Sequence, residues 1–399
     1  RELRVQSLAM PDFVLGAADV SAPTASTAQP ASAPATAFAG LLAPLTLPFP
    51  IAVDSAELAG RVELPAGRKL ALAVNGRLLA PGAEAAPVVR LDWADPAAAD
   101  DAVRELHWVG QLRIRETATG AVSHLALDGE RAADAAAGSA GRGLRVVLDA
   151  NHESAGGLET VAASVHLPAA KPGETPLFGV KVEHRPGEGR VAGDWNMRVR
   201  RDQVVVLAPE AAWPEFTAEA KGNFAGSSAT GDFSTTGRVT AGVSELRKLR
   251  PALAGLDGIT CQLDFAVERT GAEVKLATLD AEVNSGRAQV LRISALQPAS
   301  YRLDTGAVAF AQPENDLLRI EIAALPVAWL QPLVADCTID GREIAGSFAV
   351  SGAADGQRVV LRSLQPLVLD ALTVRRAGKT LLDRARISLS PRIEHSGIT

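Results

Sequence analysis

Aromatic side chains are scarce here, at 4% of the chain, with a single Tyr. That scarcity argues against a stacking platform for sugars or bases. Cysteine is nearly absent. Cys261 and Cys337 are the two present, neither lies in a CxxC, and no Cys/His cluster has zinc spacing. Two readings stand for them, a disulfide formed in an oxidising compartment or two buried small hydrophobes, and the second is expected on base rates. No run of 18 apolar residues is present, so no spanning helix is expected. The charge balance is mildly acidic, −6, with no long basic run, which excludes an electrostatic footprint for nucleic acid.

Catalytic signatures are missing as well. HExxH, Walker A, GxSxG and EF-hand loops do not occur. "GSAGRG", Gly138 to Gly143, has the composition of a phosphate loop, but it precedes a strand pattern where a dinucleotide site needs a helix, so it reads as a hairpin loop. The six His are scattered, with His107, His124, His152, His166 and His184 each in or beside a β-stretch, and they read as ordinary strand residues. "NHES", Asn151 to Ser154, reads as a turn. Trp93, Trp108, Trp195, Trp213 and Trp329 lie far apart and read as edge and rim packing. The densest basic spot is "RVRRDQ", where Arg198, Arg200 and Asp202 are expected on one face of a strand. That face reads as solvated, with an anionic head-group site as the alternative. No catalytic residue, metal or cofactor is expected, and the chain reads as non-enzymatic.

What the sequence has is alternation. In "GVKVEHR", Val180 and Val182 alternate with Lys181 and Glu183; in "LDFAVE", Leu263, Phe265 and Val267 alternate with Asp264 and Ala266; in "LLRIEIAAL", Leu318, Ile320 and Ile322 alternate with Arg319 and Glu321. Period-two alternation gives a sheet with one wet face and one apolar face. The segments are short and separated by Gly, Asn, Asp or Pro, which favours hairpins. From Ile51 onward nearly every segment, "NMRVRRDQVVVL" included, reads as a strand.

The fold class expected is therefore all-β, an extended antiparallel meander curled into a groove, or alternatively an elongated sandwich. Short leading strands fall in 1–20. An Ala/Pro/Ser/Thr loop with little to bury, expected to be disordered, falls in 21–40. A β-meander module covers 41–240 and a β-repeat module 241–399. Short helices are expected near 244–256 and 325–335, each with a Pro close to its Leu-rich centre. The repeat rests on Phe265-Ala-Val and Phe348-Ala-Val, each preceded by a Leu-x-Pro. The chain starts at Arg1 and closes without a tail-like segment, and it reads as a piece of a longer protein.

A sheet of one-sided strands must cover its apolar face. With few helices available, the choices are a second sheet or bound acyl chains, and a face of Val, Leu, Ile and Ala suits flexible alkyl chains. The residues expected to line such a groove are Val180, Val182, Leu263, Phe265, Val267, Leu276, Leu318, Ile320, Ile322, Phe348 and Val350. The alternative for each is ordinary core between two sheets.

The stretch "LRIEIAALPVAWLQPLVADCTIDGREIAGSFAVSG", with the later "LRSLQPLVLDALTV" and the opening "LPFPIAVDSAELAGRVEL", resembles the AsmA-like family, which includes TamB-like proteins. The resemblance covers about Leu42 to Leu64 and Thr217 to Ile387. It implies a bridge-like lipid carrier of a Gram-negative envelope: a periplasmic β-groove in an inner-membrane-anchored parent, passing phospholipid toward the outer membrane, with no nucleic-acid partner. The anchor is not in this chain. The rivals are a structural or adhesive surface array without lipid, and a carbohydrate-binding β-protein, which the single Tyr301 and dispersed Trp argue against.

Overall fold

The computed structural model describes residues 3–16, 42, 50–63, 69–94, 105–118, 121–131, 144–153, 157–167, 175–207, 212–248, 258–286, 288–334, 337–352 and 358–396. The expected loop over 21–40 and the Gly138 to Gly143 segment lie outside these residues. Strand accounts for 74% of the structure against 6% helical, in mostly antiparallel sheet that is open and not closed. The all-β expectation holds. The chain packs as two compact units, Arg1–Trp195 with Ser227–Thr230, and Asn196–Gly226 with Gly231–Thr399.

The first unit begins with β1 (Leu3–Val5), β2 (Leu8–Gly16), β3 (Ile51–Val53), β4 (Ala56–Glu63), β5 (Lys69–Gly76), β6 (Glu84–Ala85) and β7 (Val88–Ala94). It continues with β8 (Glu105–Glu116), β9 (Val122–Arg131), β10 (Arg145–Glu153), β11 (Leu158–His166) and β12 (Phe178–Arg185). The order in space is β2-β4-β5-β7-β8-β9-β10-β11-β12. Only β1–β3 and β2–β4 pair in parallel among the described ladders. The rest is a meander of antiparallel neighbours. β13 (Arg190–Arg200) carries residues of both units.

The second unit holds β14 (Glu215–Ser227), β15 (Phe233–Ser244), β16 (Ile259–Thr270), β17 (Glu273–Ser285), β18 (Ala288–Ala295), β19 (Ala299–Arg302), β20 (Val308–Phe310) and β21 (Asp316–Pro326). It ends with β22 (Thr338–Asp340), β23 (Glu343–Gly352), β24 (Arg358–Arg376), β25 (Lys379–Leu389) and β26 (Arg392–Ser396). Each main strand from β14 to β18 pairs antiparallel with the next, β18 pairs with β21, and β21-β23-β24 carries the sheet on to β25 and β26.

Helical structure does lie in both spans where the sequence placed it, but as 3₁₀ segments. Within 244–256 the described residues form only a 3₁₀ turn, Leu246–Lys248. Near 325–335, Leu325 and Pro326 close β21 and a 3₁₀ run covers Val327–Leu333. Proline interrupts an α-helical ladder, and Pro332 sits inside this run. Among the described residues the one α-helix, α1 (Arg201–Leu207), lies where a strand was expected. Its start explains the error. The Arg200 amide donates to Gln203 Oε1 at 2.8 Å, the half of a capping box that an N3 glutamine supplies. Asp202 stands in the first turn, favourable to the helix dipole. Three consecutive Val disguise this helix as a strand.

Candidate functional site

In an antiparallel ladder, residues directly opposite share a face. The register therefore turns the alternation of single strands into continuous rows. In the second unit one row runs Val239–Leu263–Ala281–Ile293–Ile320–Phe348 across six strands. Beside it Gly237, Phe265 and Leu279 align, as do Ala295, Leu318, Val350, Leu361 and Ile393. A third row carries Cys261, Val283, Leu291 and Ile322. A β-bulge between Ala266 and Val267 sets Val267 opposite Leu276 and skips Ala277, which puts Leu276 on the apolar face. All nine candidate residues of this unit therefore lie on one face.

Val180 and Val182 belong to the first unit, on a face of the same kind. Val182 aligns with Val161, Ala150, Leu125 and Ile114, and Val180 with Ala163, Leu148, Leu127 and Leu112. The sequence listed all eleven residues together; the structure divides them two and nine between the units.

Exposure separates a zipped sandwich from an uncovered face. A side chain between two packed sheets is normally fully buried. Of the eleven, only Phe348 is buried, at 8% exposure, and the other ten remain partly exposed. Full burial on this face is local. In the second unit it gathers where the 3₁₀ run lays Val327 against Ile344 and Leu372. Gln331 staples that run, its Nε2 donating to the Cys337 carbonyl at 2.7 Å and its Oε1 accepting from the Ile339 amide at 2.9 Å. In the first unit Leu42 covers Ile114, Val122 and Ala150. Trp108 fills the neighbouring cluster with Val74 and Val89. It is core, at 8% exposure, and not the rim residue that its isolation in sequence suggested. Its ring lies over Gly110 and Gly129, which face each other across β8 and β9.

The opposite faces carry charge. Arg238 bonds Asp264 at 2.5 Å, Arg292 bonds Asp280 at 2.7 Å, and Arg145 bonds Asp128. Each arginine's hydrogen bond holds its aspartate, in the cases of Asp264 and Asp128, below the usual carboxylate range. Such exposed pairs contribute little to stability; they mark which side is wet. The basic spot is neutralised in the same way: Arg198 pairs with Glu219, Arg200 with Asp202 and Arg201 with Glu215. Asp202 is helical, not on a strand face with Arg198 and Arg200.

Two other expectations are corrected. Cys261 and Cys337 are free thiols, and Cys261 is exposed on the apolar face where a buried thiol was expected. Asn151, His152 and Glu153 continue β10 and do not form a turn.

Sequence reasoning also missed a buried polar row at one end of the first unit's apolar face. Register brings His152, Glu159 and His184 side by side on β10, β11 and β12. Glu159 is 1% exposed and His184 2%. Nearby on β8, Glu116 is 3% exposed with neither carboxylate oxygen hydrogen-bonded, and burial pushes its carboxyl above the usual range. Among the described residues no group of three or more His, Cys, Asp or Glu is arranged to hold a metal ion, and no helix is long and apolar enough to cross a membrane. Comparison with protein-family models, curated proteins and solved structures gives no match.

Proposed function

We propose that this chain holds or conducts the acyl chains of phospholipid, or of another acyl-chain lipid, along the apolar faces of its sheets. The observation that carries the reading is the partial exposure of ten aligned Val, Leu, Ile and Phe side chains on faces several strands wide. Each methylene transferred from water to such a face gains about 0.8 kcal/mol. Holding a chain this way needs shape and apolarity, not a bond-making group, so the carrier role is non-enzymatic. The sequence resemblance to AsmA-like proteins supports a place in the periplasmic part of a Gram-negative envelope, in phospholipid transport and outer-membrane biogenesis, with contacts to the inner and outer membranes made by other parts of the parent.

Cys261 supplies the test. It sits on the apolar face between Ala241 and Val283 and is exposed. Oleate or phospholipid monomers are expected to slow its modification by a water-soluble thiol reagent. Cys337 lies on neither row and serves as the internal control. Equal rates with and without lipid would refute the reading.

A further inference from the structure

The buried row in the first unit ends in a hydroxyl. The Ser228 Oγ lies 3.2 Å from His184 Nε2, and His184 Nδ1 lies 3.4 Å from Glu159 Oε2. The other carboxylate oxygen, Oε1, accepts the Leu42 amide at 3.1 Å. That bond fixes the carboxylate, and the carboxylate in turn selects the tautomer: Nδ1–H donates to Glu159, which leaves Nε2 to accept from the serine. Three segments supply this chain of hydrogen bonds: β11, β12 and the turn Ser227–Thr230, which packs with the first unit. The turn is held in place because the Ser228 amide donates to the Gly189 carbonyl at 2.8 Å. Gly189 has φ +62°, and a Cβ there would stand 3.2 Å from the Ala229 Cβ. Glu159 and His184 are sealed from water, while Ser228, at the end of the chain, is partly exposed.

A hydroxyl bonded to an imidazole, itself oriented by a fixed carboxylate, is the arrangement that activates a serine nucleophile. We propose that Ser228 is an acyl-accepting nucleophile for carboxylic esters, with His184 as its general base and Glu159 as the positioning residue. The Ser228 Oγ bonds to the ester carbonyl carbon while its proton passes to His184 Nε2. The carbon–oxygen bond to the alcohol breaks, and the alcohol leaves with that proton. Water, deprotonated by His184, then releases the acid and restores the hydroxyl. Val182 and Val161 are the next side chains on the same face, so an acyl tail would run along the row described above. The Ser228 amide is taken by the Gly189 carbonyl and the Ala229 amide by Ser227 Oγ at 3.3 Å. An oxyanion donor is worth roughly a hundredfold to a thousandfold in rate. Turnover is therefore slow, and the covalent step is the one to measure.

The test is stoichiometric labelling of the full chain with a fluorophosphonate that carries no long alkyl tail. The Oγ–P bond forms, the P–F bond breaks, and the serine proton goes to His184. Because this probe has no acyl chain, its outcome is independent of the acyl-holding reading. Peptide mapping is expected to place the label on Ser228. Ser228→Ala is expected to abolish it and Ser227→Ala to retain it. His184→Gln is expected to slow labelling by roughly a hundredfold, the low end of what a positioned base supplies. Glu159→Gln should lower the rate and Glu159→Asp should restore part of it, a rescue that a merely structural carboxylate would not give. Since His184→Gln and Glu159→Gln alter buried groups, far-UV circular dichroism accompanies each, and the Ser228→Ala result decides on its own should either fail to fold. Absence of label, label on another residue, or label at Ser228 formed equally fast in a folded His184→Gln variant would overturn the proposal.

Discussion

The packing of Trp108 gives a quantitative test of the first unit. A Cβ added at Gly110 would stand 2.2 Å from Cη2 of the Trp108 ring and 2.8 Å from Cζ2 and Cζ3, and no other atom comes as near. A Cβ added at Gly129 would stand 2.1 Å from Cζ2 of the same ring, but also 2.6 Å from the Gly110 Cα. These distances are far below van der Waals contact, so Gly110→Ala must displace the indole. We expect it to cost about 1–3 kcal/mol as overpacking. Trp108→Ala, which empties a site lined by Val74, Val89 and Leu91, should cost about 3–5 kcal/mol. In the Trp108→Ala background those three contacts of a Gly110 Cβ are gone. Replacing a strand glycine should then be neutral or stabilising by about 0.5–1 kcal/mol. The cycle therefore predicts a coupling of about 2 kcal/mol between positions 108 and 110. Gly129→Ala is the contrast, because its backbone obstacle survives removal of the ring and it should remain destabilising in both backgrounds. Urea unfolding followed by circular dichroism measures all five variants, and hydrogen exchange of the β8 and β9 amides assigns the transition. Additive effects of Gly110→Ala and Trp108→Ala would refute the packing argument.

Other outcomes follow from single side chains. Burial raises the Glu116 carboxyl above its usual range, so the folded state holds a proton that the unfolded chain releases, and stability falls as pH rises from about 4.3 toward the folded value. Glu116→Gln should remove that fall and leave the protein more stable at pH 7, by about 1 kcal/mol; denaturant titrations at pH 4 and pH 7 check it, and an unchanged pH dependence would contradict it. Gln331→Ala unpairs the Ile339 amide and the Cys337 carbonyl; it should cost about 1–3 kcal/mol and raise exchange at Ile339, read by the same exchange experiment.

What the sequence disclosed depended on whether the signal was local. The alternation of Leu263, Phe265 and Val267 is local, and it identified both the strand and its apolar face. Phe265 and Phe348 were recognised as equivalents, and both do lie on that face, in β16 and β23. Arg201–Leu207 failed because Val204, Val205 and Val206 imitate a strand while its N-terminal signal, Gln203, is half of a capping box. Val327–Leu333 was sensed as helical, but Pro332 limits it to a 3₁₀ run. The row of His152, Glu159, His184 and Ser228 was not legible at all. Those residues are separated in sequence and meet only through the registers of β10 with β11 and β11 with β12 and through a turn that follows β14. Trp108 was misjudged for the same reason: the glycine that receives its ring from the next strand, Gly129, is a neighbour by register alone.

The central claim is that these faces carry acyl chains. It is tested most directly by native mass spectrometry with lipid extraction on the chain purified from a bacterial periplasm without detergent. The account predicts copurified phospholipid in the unmodified protein. It predicts loss of that lipid in Phe265→Asp, a change at a partly exposed position that should leave the β-type circular dichroism spectrum intact. A folded chain that emerges free of lipid, or a Phe265→Asp variant that keeps all of it, would contradict the account.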